Sequence, residues 1–283
     1  MANRGTDFEN CILYEAHSRL SALTTQTSNP YAAKYATIDQ SVKTDTPKIL
    51  DKIEQDLNLT TNLLKQSFYQ SFQKVAGKSK TDVMFAAGGK TYKCSLKWGN
   101  VFQLSSAGLD ATDNFLMKVM QKIISNQGNN NTTITTVADV ILIMSQIDSI
   151  IGEDKIQRAS ELKSKLNKIR GSHNSLQGRL QSILGSARNP NVDVMYVDFK
   201  KEILREALTG ELVFGPTSNS SANYILSGPL TNYSLVKIDD SYINSIMSKS
   251  SVRIASKGRG NYVGTGGKII RLNEATIRLD VKQ

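Results

Sequence analysis

The spacing of apolar residues changes period between residues 75 and 105, and that change restricts the chain to folds that mix helix with sheet. Upstream, Phe8, Ile12, Ala16, Leu20 and Leu23 recur every three or four positions over residues 7–24. That places them on one face of a helix, which Thr6 or Asp7 is positioned to cap. Thr46-Pro47 reads as the start of a second helix, with proline in the first turn where its missing N–H costs nothing. Ile49, Ile53, Leu57, Leu63, Leu64 and Phe68 carry this pattern to about Val75, with a break near Asn58. The texture then shortens. Val83-Met84-Phe85 is an apolar run, Gly88-Gly89 is a turn signal, and Thr91 to Leu96 is a second run. Two such runs around a glycine pair predict a β-hairpin. Val101 to Leu104 reads as a third short strand.

Helical spacing returns over 110–126, 135–151 and 153–184, the last a basic stretch interrupted near Gly171, and again over 192–209, which Gly210 is placed to end. After Gly215-Pro216 the chain alternates strand and turn. Strands are expected at Tyr224 to Leu226, Tyr233 to Ile238, Val252 to Ala255, Lys268 to Leu272 and Ala275 to Val281, with a short helix over 240–248. The basic, glycine-rich segment 257–267 reads as a loop or hairpin tip without the spacing of a phosphate-binding P-loop. The expected organisation is an α/β (α+β) first part over 1–106, a basic helical region over 107–190, and a helix plus β-rich part over 191–283 that is able to complete the first core.

Charge narrows the partner. The formal net charge is +10. Residues 1–75 hold eight basic and eight acidic side chains, whereas 151–190 hold eight against three and 249–283 eight against two. Clustering of this kind points to a polyanion, and nucleic acid is the expected partner. Lys163, Lys165, Lys168 and Arg170 on the helical stretch, with Arg253, Lys257 and Arg259 at and before the glycine-rich segment as the loop contacts, are the expected phosphate contacts. No run approaches the ~20 apolar residues of a membrane span, and the first residues lack the apolar core of a signal peptide. The expectation is a cytoplasmic protein without a membrane partner, open to forming a homo-oligomer. Two cysteines, Cys11 and Cys94, do not make a disulfide scaffold, and two histidines, His17 and His173, leave little for a zinc site. A metal site here has to be built from carboxylates, which favours Mg²⁺ or Mn²⁺.

The chemistry-bearing stretch is the hairpin. Asp82 opens its first strand, and Ser95 and Lys97 lie two apart on the second, so alternation places the last two on one face. Cys94 falls on the other face, towards a core. An acid for a divalent ion beside a lysine is what metal-assisted phosphodiester hydrolysis requires: the ion acidifies its water and the lysine offsets charge growing on phosphate.

These residues resemble the restriction-endonuclease-like nucleases with the PD-(D/E)xK pattern. Glu9 on the first helix is similar to the glutamate many members carry there, Asp82 to the metal-binding aspartate, Lys97 to the motif lysine, and Gln103 to a glutamine found a few residues later. The resemblance covers roughly residues 5–106, and the texture of the chain is that of a phage-encoded protein. It implies a mixed sheet flanked by helices, catalytic roles for Glu9, Asp82, Ser95, Lys97 and Gln103, metal held by Asp82 and Glu9, and Mg²⁺ or Mn²⁺ as cofactor. One departure stands out. The family's acid two residues before the lysine is Ser95 here, and a hydroxyl replaces a carboxylate poorly on Mg²⁺. Glu9, or else Glu206 or Glu211, is the candidate to supply the missing ligand.

Two further readings compete. One is a non-catalytic DNA- or RNA-binding protein on a degenerate nuclease-like fold, with no cofactor; the other is a phage structural or assembly protein. His17 reads as a packed helix residue, Trp98 as a packing anchor ahead of a base-stacking platform, and Ser105-Ser106 lacks the Gly-x-Ser-x-Gly elbow of a serine hydrolase.

Overall fold

The computed structural model describes residues 4–25, 28–77, 79–99, 101–107, 118–119, 121–122, 194–263 and 269–282. The architecture is mixed α and β. The helices are α1 (Arg4–Leu23), α2 (Ala32–Ala36), α3 (Gln40–Asp56), α4 (Asn62–Gln70), α5 (Val194–Thr209), α6 (Glu211–Phe214) and α7 (Asp240–Met247). The strands are β1 (Gln73–Lys74), β2 (Val83–Ala87), β3 (Lys90–Trp98), β4 (Val101–Ala107), β5 (Tyr224–Gly228), β6 (Ser234–Lys237), β7 (Ser250–Val263) and β8 (Ile269–Lys282). They form a five-stranded sheet in the order β1-β2-β3-β5-β6 and a three-stranded sheet in the order β4-β8-β7. The chain divides into two compact units. The first runs to Phe102 and adds Leu208–Tyr242; the second takes Gln103–Ala207 and Ile243–Lys282.

The expected hairpin is present. Gly88 and Gly89 have φ of 56° and 74°, both in the left-handed region that a two-residue turn between twisted strands demands. The register pairs Val83 with Cys94 and Phe85 with Tyr92. β3 then pairs in parallel with β5, Cys94 against Tyr224 and Lys97 against Ser227. Residues beyond 208 thus complete the sheet that the first hundred begin.

One face of that sheet carries the core. The first helix lies where its periodicity predicts and packs on α3, α4 and β3. Its buried stripe, Phe8, Ile12, Ala16 and Leu20, meets Ile49, Ile53, Phe68, Phe85, Tyr92 and Cys94 in one cluster. Trp98 packs its ring 5.0 Å from that of Phe8. On its other side Trp98 lies so close to Gly228 that an added Cβ there would come within 2.7 Å of two ring carbons, a clash only glycine avoids. Cys94 is fully buried in this face, as alternation requires.

Three expectations are corrected or sharpened. The second helix starts at Gln40, six residues before the expected cap at Thr46, and Pro47 lies in its interior. Asp39 provides the cap by accepting from Ser41 N at 2.9 Å, and the buried Val42 gives the added turn a packing reason. The local polar groups have partners: Thr46 Oγ1 donates to Val42 O and Arg19 Nη2 to Pro47 O, both at 2.7 Å. The predicted break near Asn58 is present, with φ of 53° at that residue. Second, of the loop and hairpin readings of 257–267, the structure takes the hairpin: residues 257–263 belong to β7, each except Arg259 paired across to β8, the next strand along the chain. Third, the strand pieces 268–272 and 275–281 are joined in one strand, β8. The predicted helices over 135–151 and 153–184, and nearly all of 110–126, lie outside the described residues. Among the described residues no helix is long and apolar enough to cross a membrane.

Candidate functional site

The residues Asp82, Ser95 and Lys97 meet at the end of the β2–β3 hairpin, on the face opposite the core. The backbone first fixes Asp82: its N–H donates to Cys94 O at 2.9 Å and its carbonyl accepts from Val75 N at 3.1 Å. Its carboxylate Oδ2 then accepts from Leu96 N at 2.7 Å and lies 3.5 Å from Ser95 Oγ. Lys97 Nζ donates to Ser95 Oγ at 2.8 Å. Ser95 is thus the link between acid and lysine, at the position where the resembling family has its second acid.

Burial shapes the electrostatics. Lys97 is half-buried, and desolvation pulls its ammonium pKa below the ordinary lysine value; the Asp82 carboxylate opposes that fall. The group is therefore better poised to give up a proton than a lysine in water. Next along the same face, Lys93 is buried and donates from Nζ to Ser218 O at 2.7 Å and Pro216 O at 3.2 Å. Desolvation lowers its pKa as well, with Glu211 opposing. Lys93 therefore anchors the 216–218 loop to β3. Local spacing does not distinguish its role from that of Lys97; the difference is that carbonyls meet one amine and a hydroxyl the other. The same loop is tied to the approach to Asp82, since Lys80 N and Thr81 N both donate to Ser220 O.

Glu9, the expected metal partner for Asp82, has a partner of its own. Glu9 forms an ion pair with Lys74, whose strand β1 pairs beside Val83. Among the described residues nothing joins Glu9 to Asp82, Ser95 or Lys97, and no cluster of three or more His, Cys, Asp or Glu side chains is arranged to hold a metal ion. Glu211 lies near Lys93, and Glu206 belongs to the second unit. Gln103 lies on β4 in the second sheet. Arg253, Lys257 and Arg259 lie on β7, and Lys163, Lys165, Lys168 and Arg170 fall outside the described residues. His17 is half-buried against the Tyr31 ring, 5.2 Å between centroids, and desolvation lowers its pKa; it packs, as the helix pattern indicates.

The strongest polar network that sequence reading missed is structural. Arg19 Nη1 donates to Asp51 and Glu54 at 2.7 Å and to Tyr69 Oη at 3.1 Å, while Lys65 pairs with the other Glu54 oxygen at 2.5 Å. The buried Glu54 carboxylate thus clamps α1 to α3 and α4. Charge-assisted bonds to a buried carboxylate such as Glu54 contribute roughly 1.5–3 kcal/mol each, and the bond to the exposed Asp51 contributes less.

No family model matches the chain, and neither a curated protein nor a solved structure does.

Proposed function

We propose that the chain acts on nucleic acid, and that the Asp82–Ser95–Lys97 cluster is a phosphodiester-hydrolysing site of the restriction-endonuclease-like kind. The observation that supports this is the meeting of a carboxylate, a hydroxyl and an amine of lowered pKa on one face of a rigid hairpin. The donors are hard oxygens, one carboxylate and one hydroxyl, a sparse set that leaves most of a cation's positions to water and substrate. The side-chain oxygens of the cluster are those of the Asp82 carboxylate and Ser95 Oγ. Mg²⁺ is commonly held by one or two carboxylates, with waters and substrate phosphate filling the rest. Asp82 and Ser95 would hold Mg²⁺ or Mn²⁺, whose chemistry there is to acidify a water and polarise the phosphate. Lys97, held by Ser95, is placed to stabilise charge on the attacked phosphate or to pass a proton. Ser95 orients that lysine and keeps its ammonium apart from Asp82.

A second reading follows from the Glu9–Lys74 pair. With that carboxylate engaged and a serine at the other acid position, the chain is a nucleic-acid binder that has lost cleavage. One experiment separates the two. Supercoiled DNA, linear DNA and RNA are incubated with pure protein, with and without Mg²⁺ or Mn²⁺, beside the Asp82→Asn protein. Metal-dependent cutting that disappears in Asp82→Asn supports the nuclease. Binding without cutting under either metal selects the binder. Cutting unaffected by Asp82→Asn places the chemistry elsewhere.

A further inference from the structure

The loop between α6 and β5 is tied to the hairpin from two sides. It opens at Gly215 and folds on itself: Ser218 N donates to Gly215 O and Ser221 N to Ser218 O, each at 3.2 Å, and Ser221 Oγ donates to Gly215 O at 2.6 Å. On one side Lys93 reaches in from β3. Its buried amine donates to the carbonyls of residues 216 and 218. Its backbone is pinned beside the same loop, Lys93 N donating to Asn223 Oδ1 at 2.7 Å and Asn223 N to Lys93 O at 2.9 Å. On the other side three donors converge on Ser220 O: Lys80 N at 2.8 Å, Thr81 N at 3.3 Å and Ser79 Oγ at 3.1 Å. The next residue along that segment is Asp82.

These contacts form a closed path. From Lys93 it runs through the loop into residues 79–81, reaches Asp82, and returns to β3, where Leu96 N donates to Asp82 Oδ2 at 2.7 Å. Leu96 lies beyond the last β2–β3 pair, Val83↔Cys94, so the carboxylate extends the hairpin by one side-chain bond. The hairpin fixes the backbone after Asp82, and the loop fixes the backbone before it. Pro216, Thr217 and Asn219 are exposed, so the loop has little packing of its own and relies on these bonds. Burying a lysine amine costs free energy that its two carbonyl bonds offset; without the amine both carbonyls lose their donor.

We propose that Lys93 is a positioning residue of the candidate site: acting through the 216–220 loop, it fixes the Asp82 carboxylate against Leu96 N and Ser95. The inference rests on the nuclease reading for what Asp82 does, and adds the residue that keeps it in place. A displacement of about 1 Å at a reacting centre, caused by a change away from it, can slow a reaction by about 100-fold.

The Leu96 amide is a direct reporter of that hold. Its hydrogen-exchange rate is read by NMR in the ¹⁵N-labelled full chain and compared with the amides of β2 in the same protein. Lys93→Met keeps the length of the side chain and removes the donor. In it, Leu96 and residues 216–221 should exchange at least about tenfold faster relative to β2. Ser79→Ala removes one of the three donors to Ser220 O and should act in the same direction in smaller measure; should Lys93→Met fail to fold, this variant carries the test. On linear DNA with Mg²⁺, Lys93→Met should lower kcat by about 10- to 100-fold and leave KM within about threefold. If the loop amides speed up while Leu96 keeps pace with β2, or if Leu96 keeps its wild-type rate in the folded variants, Lys93 holds at most the loop and the proposal is overturned, whether or not the chain cuts DNA. If Leu96 responds and wild type cuts nothing with either metal, the hold on Asp82 stands and the nuclease reading falls. Cutting by wild type with an unchanged kcat in Lys93→Met leaves the nuclease reading intact and removes Lys93 from it.

Discussion

The two faces of the five-stranded sheet use the same strand for opposite ends. Along β3, Tyr92, Cys94 and Leu96 enter a core shared with three helices, whereas Lys93, Ser95 and Lys97 stand on the other face among hydrogen-bonding partners. Both faces are poor in water, and burial pushes both titratable members towards their neutral forms: upward for the Cys94 thiol, downward for the Lys97 ammonium. On the core face neutrality costs nothing, since the thiol is neutral already. On the other face it lowers the pKa of an amine that donates to Ser95 beside Asp82. A period of two is enough to separate a core face from a polar cluster within nine residues.

The largest effect that tests this separation is on the core face. Phe85 is fully buried, stacked on Phe72 and Tyr92 at centroid distances of 4.9 and 5.0 Å. Phe85→Ala should cost about 3–5 kcal/mol, visible as a lower urea midpoint. Below its unfolding transition the variant should still cut nucleic acid, and a well-folded Phe85→Ala protein without activity would show that the faces are not independent. Next comes the lysine. Lys97→Ala should slow cleavage by about 100- to 1,000-fold, the ordinary effect of losing one electrostatic group at a reacting centre, with nucleic-acid affinity nearly unchanged; a parallel fall in affinity would make Lys97 a binding residue instead.

A smaller effect sharpens the reading of Ser95. Ser95→Glu supplies a second carboxylate at the cluster and should tighten Mn²⁺ binding, measured by the loss of free-ion paramagnetic resonance, while keeping or raising cleavage. Unchanged metal affinity would remove Ser95 from the ion's surroundings. The smallest effects are in pH. The Cys94 thiol is raised from 9.0 in the folded chain, so its contribution to stability is present below about pH 9 and is lost as pH climbs. Lys97 is lowered from 10.5, so the folded chain binds fewer protons than the unfolded one below that value, and stability rises with pH across that window. Cys94→Ala should therefore flatten the alkaline fall in unfolding temperature and Lys97→Met should steepen it. Shifts of the same sign would contradict the opposed burial of the two groups.

Much of the fold is readable locally. Gly88-Gly89 specifies a two-residue turn because few other residues tolerate φ above zero twice in succession. The turn sets the register, and the register places Asp82 beside the Ser95–Lys97 face. The stripe on α1 marks its core side, and Gly210, with φ of 68°, ends α5 as expected. Pro47 misleads because proline suits a first turn; the cap that starts the helix, Asp39, lies eight residues earlier, where the apolar spacing is weak.

What the amino-acid order determined by itself is the short-range part: helix faces, the hairpin, the alternation that separates Cys94 from Ser95, and an excess of basic charge. These depend on neighbours within a few residues, whose dihedral preferences and spacing the sequence states directly. Only the tertiary structure decided that Glu9 pairs with Lys74, that Lys93 binds the carbonyls of residues 216 and 218 while Lys97 binds Ser95, and that β3 takes β5 as its parallel neighbour. Each of those outcomes is a hydrogen bond or ion pair that forms between groups brought together by folding, and no local period encodes which distant partner a buried amine, carboxylate or strand edge will find.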